Sequence, residues 1–438
     1  MAQFRTDKHI IDSGQVTTRY EVFMLSDRLT PSGTMTDAFG RIRTANPLTL
    51  FDSSHRYNDN GLWATSNTAG NSSYSFVENQ STIDMTVTTT ANAEVIRETT
   101  KVFSYQPGKS LLIMNTFAME TPKANVRQRV GYFGDSNGIY LENDGTTNYF
   151  VLRTNTSSTV VETKVPQTEW NVDKFDGTGY SSQSGGTEHE NGLDVSKTNI
   201  LWMDIEWLGV GDVRCGFVID GKMIPAHIFH NDNKNLVPYM TTACLPLRYE
   251  IKNTGVTTSN STFSQICSTV ISEGGYELYG TQQASQTPIG TPVDLPTAGT
   301  YYPIISLRLK TTPNRLDAIV IMTALSILGI TNNAFYNWQV RANATTSGGT
   351  WVSAGDNSAV EYKIDGGTIT GGRILASGFT GATNQSAAPI DILKQALFKF
   401  QLERNGLTGT PYELTLCATA TTNGADIYAS MDWEEITR

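Results

Sequence analysis

The chain has 438 residues, of which 39% are hydrophobic and only 17% charged, and its formal net charge is -10. That length exceeds what one hydrophobic core usually serves, so two domains are predicted. An acidic balance without a Lys/Arg cluster argues against nucleic acid as a partner, and a polar fraction rich in Thr, Ser, Asn and Gly favours sheets and turns over helices.

The first 60 or so residues show little periodicity. The N-terminus lacks an apolar run of signal-peptide length, so synthesis and retention in the cytosol are expected. Apolar residues occur singly at Phe39, Ile42, Leu48, Leu50 and Phe51, with Arg41 and Arg43 alternating around Ile42. Prolines at 31 and 47 favour an extended path. Residues 1–60 are therefore expected to form an extended docking arm. Its partner-facing anchors are Phe39, Ile42, Leu48 and Phe51, with Arg41 and Arg43 free to pair with acidic groups. The competing expectation is an edge strand of the following domain.

From Gly61 to Gly280 the strand signals are dense. Thr82 to Thr90 and Lys109 to Phe117 are rich in β-branched and apolar residues, and Asn137-Gly138 marks a hairpin. Between Ile200 and His230, Leu201, Met203, Ile205 and Trp207 alternate with Trp202, Asp204 and Glu206, a period of two. Val213, Cys215, Phe217 and Ile219 repeat the pattern before the turn at Asp220-Gly221, predicting a three-stranded meander. Thr281 to Thr300, with three prolines and no aromatic residue, predicts a linker. Further strands are expected at Tyr302 to Lys310, Leu316 to Ile327, Ala334 to Ala342, Val360 to Ile364, Leu397 to Glu403 and Tyr412 to Thr421. Ile390, Leu393 and Leu397 suggest a short helix.

The four cysteines, Cys215, Cys244, Cys267 and Cys417, form no C-x-x-C pair. Free thiols are expected, with no metal site and no cofactor. The longest apolar stretch, Ala318 to Ile330, is too short to span a bilayer.

Asp204 and Glu206 leave one face of a strand, as the acids of a glycosidase do. An alternating acid pattern would need a third acid where Trp202 stands, so two ordinary surface charges are the simpler reading. His227 and His230, with Asp232 nearby, form H-x-x-H. A three-residue step on a strand points them to opposite faces, against shared metal ligation. The loops at Asp135 to Gly138 and at Asn143-Asp144-Gly145 lack calcium-loop spacing and suit turns. Trp170, Trp202 and Tyr180 are the candidates for stacking on a glycan, while Trp207 falls on the apolar face. No phosphate-loop motif occurs.

The stretch LWMDIEWLGVGDVRCGFVIDGK resembles the meander of lectin-like β-sandwiches of the concanavalin/laminin-G type. A wider set of segments, DAFGRIRTANPLTLFDSSHRY, FSYQPGKSLLIMNTF, RQRVGYFGDSNGIYLE, WNVDKFDGTG, LPLRYEIKN and ICSTVISEGG, resembles a virion structural protein family of tailed phages, frequent in marine and cyanobacterial phages. The resemblance covers Asp37 to Gly275 and brings no catalytic residue with it. Together with the strand and linker pattern, the expected architecture is an all-β protein with an N-terminal arm (1–60), a lectin-like sandwich (61–280), a linker (281–300) and a C-terminal β-sandwich or jelly roll (301–438). The resemblance implies a non-enzymatic virion component, made in the host bacterial cytoplasm. Its expected partners are other virion proteins of capsid or tail and further copies of itself. Capsid decoration or a head fibre is the first expectation. A tail-fibre or baseplate component binding host surface glycans is the second, and a glycan-cleaving enzyme using Asp204 and Glu206 is the alternative from another class.

Overall fold

A computed structural model describes residues 9–12, 15–18, 46–179, 181, 192–277, 279–364, 367–381 and 397–436. The chain divides into two compact units, Met1–Asn46 and Pro47–Arg438. In the first, His9–Asp12 and Gln15–Thr18 pair as an antiparallel hairpin. Phe39, Arg41, Ile42 and Arg43 lie outside the described residues.

The second unit is all-β. No α-helix occurs among its described residues, only 3-10 turns at Gln167–Glu169 and Leu397–Phe400. Two antiparallel sheets form a lectin-like sandwich. The seven-stranded sheet runs, in spatial order, through Val161–Pro166, Asn148–Thr154, Gly138–Asn143, Val126–Phe133, Leu247–Asn253, Glu94–Thr99 and Trp63–Asn67. The eight-stranded sheet is built around Asn199–Ile205, Leu111–Ala118 and Ser261–Ser272. Period-two patterning explains the packing. In Leu111–Ala118, residues 111, 113, 115 and 117 are buried, while their neighbours are half-buried. Leu201, Met203 and Ile205 enter the same core as Val213, Cys215 and Phe217 from the adjacent strand.

The meander turns as the sequence predicts at Asp220-Gly221, where both residues have positive φ. The hairpin at Asn137-Gly138 is made differently. Residues 134–137 form the loop, and Gly138 opens the returning strand opposite Phe133. A Cβ on Gly138 would fall 2.0 Å from that of Phe133, so close approach requires the glycine there, at a φ of +152°.

A second sandwich follows. In one sheet Ala425–Glu435 is central, flanked by Thr281–Gln286 and Val293–Leu295 on one side and by Val320–Gly329 on the other. The facing sheet has six strands, with Tyr302–Leu309, Glu413–Ala420 and Phe335–Thr346 at its centre. Trp433 and Tyr336, fully buried, sit in this core.

Three expectations are corrected. The arm cannot extend to residue 60, because Leu48–Ser54 is a strand paired with Ser261–Ser272. Phe51 is buried there, 5.0 Å from the Phe103 ring, while Leu48 is exposed at the strand start. The segment 281–300 is no free linker: it supplies two strands whose partner lies at the far end of the chain. Leu397 to Glu403 is not a strand, since residues 397–400 make a 3-10 turn. The helix expected from Ile390 falls almost wholly outside the described residues. Limited proteolysis is accordingly expected not to part the chain into two resistant fragments at 281–300. Two such fragments on a denaturing gel would contradict the paired strands.

All four cysteines are free thiols; Cys267 is exposed, and Cys215, Cys244 and Cys417 are buried. Titration with a maleimide is expected to modify one thiol in the native protein and four after denaturation. Rapid modification of all four in the native state would contradict the packing.

Candidate functional site

The two acids of the meander sit in different environments. Asp204 is buried, and its Oδ2 accepts a hydrogen bond from Arg214. Burial raises its carboxyl above the usual range, and the guanidinium opposes this. Glu206 lies past the strand end and is exposed. The aromatic candidates are also internal. Trp170 packs in the core against Phe150, at 4.6 Å between ring centroids. Trp202 is 5% exposed and donates its indole N–H to the Phe217 carbonyl at 3.2 Å. Both are too enclosed to stack on a sugar; Tyr180 lies outside the described residues.

His227 is buried, and desolvation followed by the nearby His230 charge pushes it down to about 4. His230 instead meets Asp212, Nδ1 to Oδ2 at 2.8 Å, with Asp232 close enough that one ligand atom from each of the three lies within 4.8 Å of the others. The inner pair of this trio is already hydrogen-bonded, and His230 and Asp232 are exposed. The acidic loops are turns: Asp144 Oδ1 accepts from the Thr146 and Thr147 backbone amides, and Asp135 accepts from Arg248.

Charge is concentrated instead on the outer face of the seven-stranded sheet. Arg129 lies 3.6 Å from Glu250, Lys164 2.7 Å from Glu142, and Arg153 2.7 Å from Glu162. Burial raises the Glu162 carboxyl, but hydrogen bonds from Arg153 and Tyr140 and the Arg129 charge outweigh it and hold it at about 2. The carboxylates of this face are committed to cations.

The lattice runs on into the second sandwich. Arg404 Nη1 lies 2.8 Å from Glu98 Oε1 and donates to the Thr99 carbonyl at 3.0 Å, while Nε and Nη2 hold Asp317. Beside it, Glu403 takes Thr100 Oγ1 at 3.0 Å and Lys101 at 3.5 Å, and Gln401 donates to the Val102 carbonyl. Ile319 and Ile321 complete the first sandwich's core from the second. Burial pushes the Glu98 carboxyl up despite Arg404 and Arg248 beside it. This seam, unsuspected from the sequence, joins the sandwiches by buried, directional contacts.

Next to the seam lies a cavity of about 530 Å³. Tyr105, Trp207 and Tyr279 form its aromatic part, and Pro107, Ala243 and Ile436 its apolar wall. Gln106, Lys109, Thr241, Thr242 and Glu277 supply polar groups. Tyr105 meets Trp207 edge-on at 5.7 Å and 83°, and its hydroxyl accepts the Leu208 amide. Trp207 is the aromatic residue of the meander left at a cavity, because its strand has ended at Ile205 and the alternation no longer carries it into the core.

No family model matches the chain, and no curated protein matches it. Solved structures share its outline over about half its length. An endo-β-1,4-glucuronan lyase from the fungus Trichoderma reesei is 14% identical, covering 51% of this chain and 95% of that one, with a TM-score of 0.33. The carbohydrate recognition domain of Emp47p is 13% identical over 54% and 99%, with a TM-score of 0.33. A carbohydrate esterase from the Shiga toxin-encoding bacteriophage phi24B is 11% identical over 52% and 99%, with a TM-score of 0.30. Similarity at this level carries no argument about chemistry. No helix among the described residues is long and apolar enough to cross a membrane.

Proposed function

We propose that this chain is a non-enzymatic structural protein of a bacteriophage particle, with its two sandwiches projecting as one stiff body. The seam at Arg404, Glu98 and Glu403 carries this reading. A displayed component must transmit load between its domains, and buried charge-assisted hydrogen bonds, from Arg404 to the Thr99 carbonyl and from Thr100 to Glu403, resist the hinge motion that exposed pairs allow. The resemblance of the first sandwich to tailed-phage virion proteins supports the particle, and capsid decoration or a head fibre is the role preferred. The commitment of Asp204 to Arg214 supports a role without turnover.

Mass spectrometry and gold labelling of gradient-purified particles test this. The chain is expected in stoichiometric amounts at a fixed position on the particle. Its absence from particles freed of lysate protein would overturn the proposal, and labelling on the tail would move the role to a fibre or baseplate. No hydrolysis of neutral or acidic glucans is expected. Turnover that Glu206→Gln abolishes in a folded protein would make the chain an enzyme.

A further inference from the structure

We propose that the cavity at Trp207 is a recognition site for an uncharged saccharide. Its volume of about 530 Å³ falls within the roughly 300–1,000 Å³ of small-molecule sites, and it lies where they concentrate, at a domain seam. The wall chemistry selects the ligand. Sugar rings present apolar C–H faces and polar edges, and they are met by aromatic rings flanked by hydrogen-bonding groups. Tyr105 fixes the Trp207 indole edge-on, so the larger ring is held in place before a ligand arrives. Tyr279 stands at the cavity, 79% exposed, as a second apolar surface that the protein itself leaves uncovered.

The polar groups argue for a neutral ligand. Lys109 and Glu277 are the cavity's charged residues and have opposite signs. With a formal net charge of -10 on the chain, nothing here draws in a phosphate, sulfate or uronate. Hydroxyls suit the site better. The Thr242 hydroxyl accepts the Cys244 amide and keeps a proton to donate, and Thr241 is placed likewise by Asn137. The indole N–H of Trp207 is buried, with no acceptor among the described residues, so the ring meets the cavity with its apolar carbons.

This inference goes beyond the structural role and is read out separately from it. Saturation-transfer NMR on the full-length protein, with methyl glycosides of neutral hexoses and N-acetylhexosamines, tests it; methyl glucuronide and glucose 6-sulfate are the charged controls. At least one neutral glycoside is expected to receive saturation on its ring C–H protons, and the charged controls none. Tyr279→Ala, at an exposed position, is expected to weaken that binding roughly tenfold, the effect of losing one aromatic contact. Trp207→Phe, which retains a ring in the wall, is expected to weaken it with the β circular dichroism unchanged. The proposal is overturned by an absence of transfer from every neutral glycoside. It is equally overturned by stronger transfer to a charged control, or by binding that neither substitution changes. Absence of the chain from particles would leave these outcomes as informative as before.

Discussion

Replacing Arg404 by alanine is expected to lower stability by about 3–5 kcal/mol, the usual effect of stripping a buried charge of its partner. Arg404 and Glu98 are each about 95% buried, and the guanidinium also satisfies Asp317 and the Thr99 carbonyl. Glu98 already titrates above the ordinary glutamate value of 4.5 because burial outweighs its two cations, and losing one raises it further. The folded state then binds a proton that the unfolded chain releases. Stability of the variant therefore rises relative to wild type as pH falls through the raised folded value, and the gain is complete near the unfolded value. Urea unfolding at pH 7 and pH 5 checks both the size and the sign. Glu98→Gln in the Arg404→Ala background should recover part of the loss, since it removes the orphaned charge. A loss below about 1 kcal/mol, the level of exposed pairs, with no dependence on pH, would show the seam to be incidental.

Two truncations should differ more sharply. A chain beginning at Pro47 keeps the whole second unit and is expected to fold with an intact β signal. A chain beginning at Gly61 loses Leu48–Ser54 and Asp59. Phe51 leaves a void beside Phe103 and Trp63, and large aromatic deletions of this kind cost about 3–5 kcal/mol. Asp59 is the carboxylate held by Arg97, Nη1 to Oδ2 at 3.0 Å and Nη2 to Oδ1 at 2.8 Å, and Arg97 is fully buried. Gln265 and Thr65 hydrogen-bond the guanidinium but leave its charge uncompensated. That is a second loss of about 3–5 kcal/mol. The two together approach the whole stability of an ordinary domain, so the shorter chain is expected to aggregate or lose cooperative unfolding. Equal circular dichroism and equal urea midpoints for the two chains would return residues 47–60 to an arm.

The contrast shows what local pattern can carry. The meander was legible because its apolar residues alternate within a few residues and its Asp220-Gly221 turn joins adjacent strands. Phe51 was read as a docking anchor because its partners lie far away in sequence; the Thr269 hydroxyl that binds its carbonyl is 218 residues on. The polar stretch 281–286 looks like linker for the same reason, since its ladder partner is Ala425–Glu435. That strand was missed although Ala425, Ile427, Ala429, Met431 and Trp433 alternate without a break and are all buried. Its signal lay in the sequence, weakened by small alanines. Trp170 and Trp202 illustrate the other limit. Residue type proposes an aromatic platform, but exposure depends on the opposite sheet and on the neighbouring strand, and both rings are covered. Arg97, Arg404 and Glu98 gave no sign at all, because a charged residue in a strand looks like a solvent-facing one until its partners are placed.

The central position of Ala425–Glu435 also governs when the protein can fold during synthesis. Chains emerge N-terminus first, at about 5–20 residues per second, and domains ordinarily fold as they appear. Thr281–Gln286, Val293–Leu295 and Val320–Gly329 all take their ladder partner from that late strand. They leave the ribosome some hundred residues ahead of it and wait with open hydrogen-bonding edges, the state in which nascent chains seek the wrong partner. Ile319 and Ile321 tie the first sandwich's packing to the same delay. Final assembly of both halves therefore waits for Ala425–Glu435, and a ribosome stalled before codon 425 holds a chain with neither half complete.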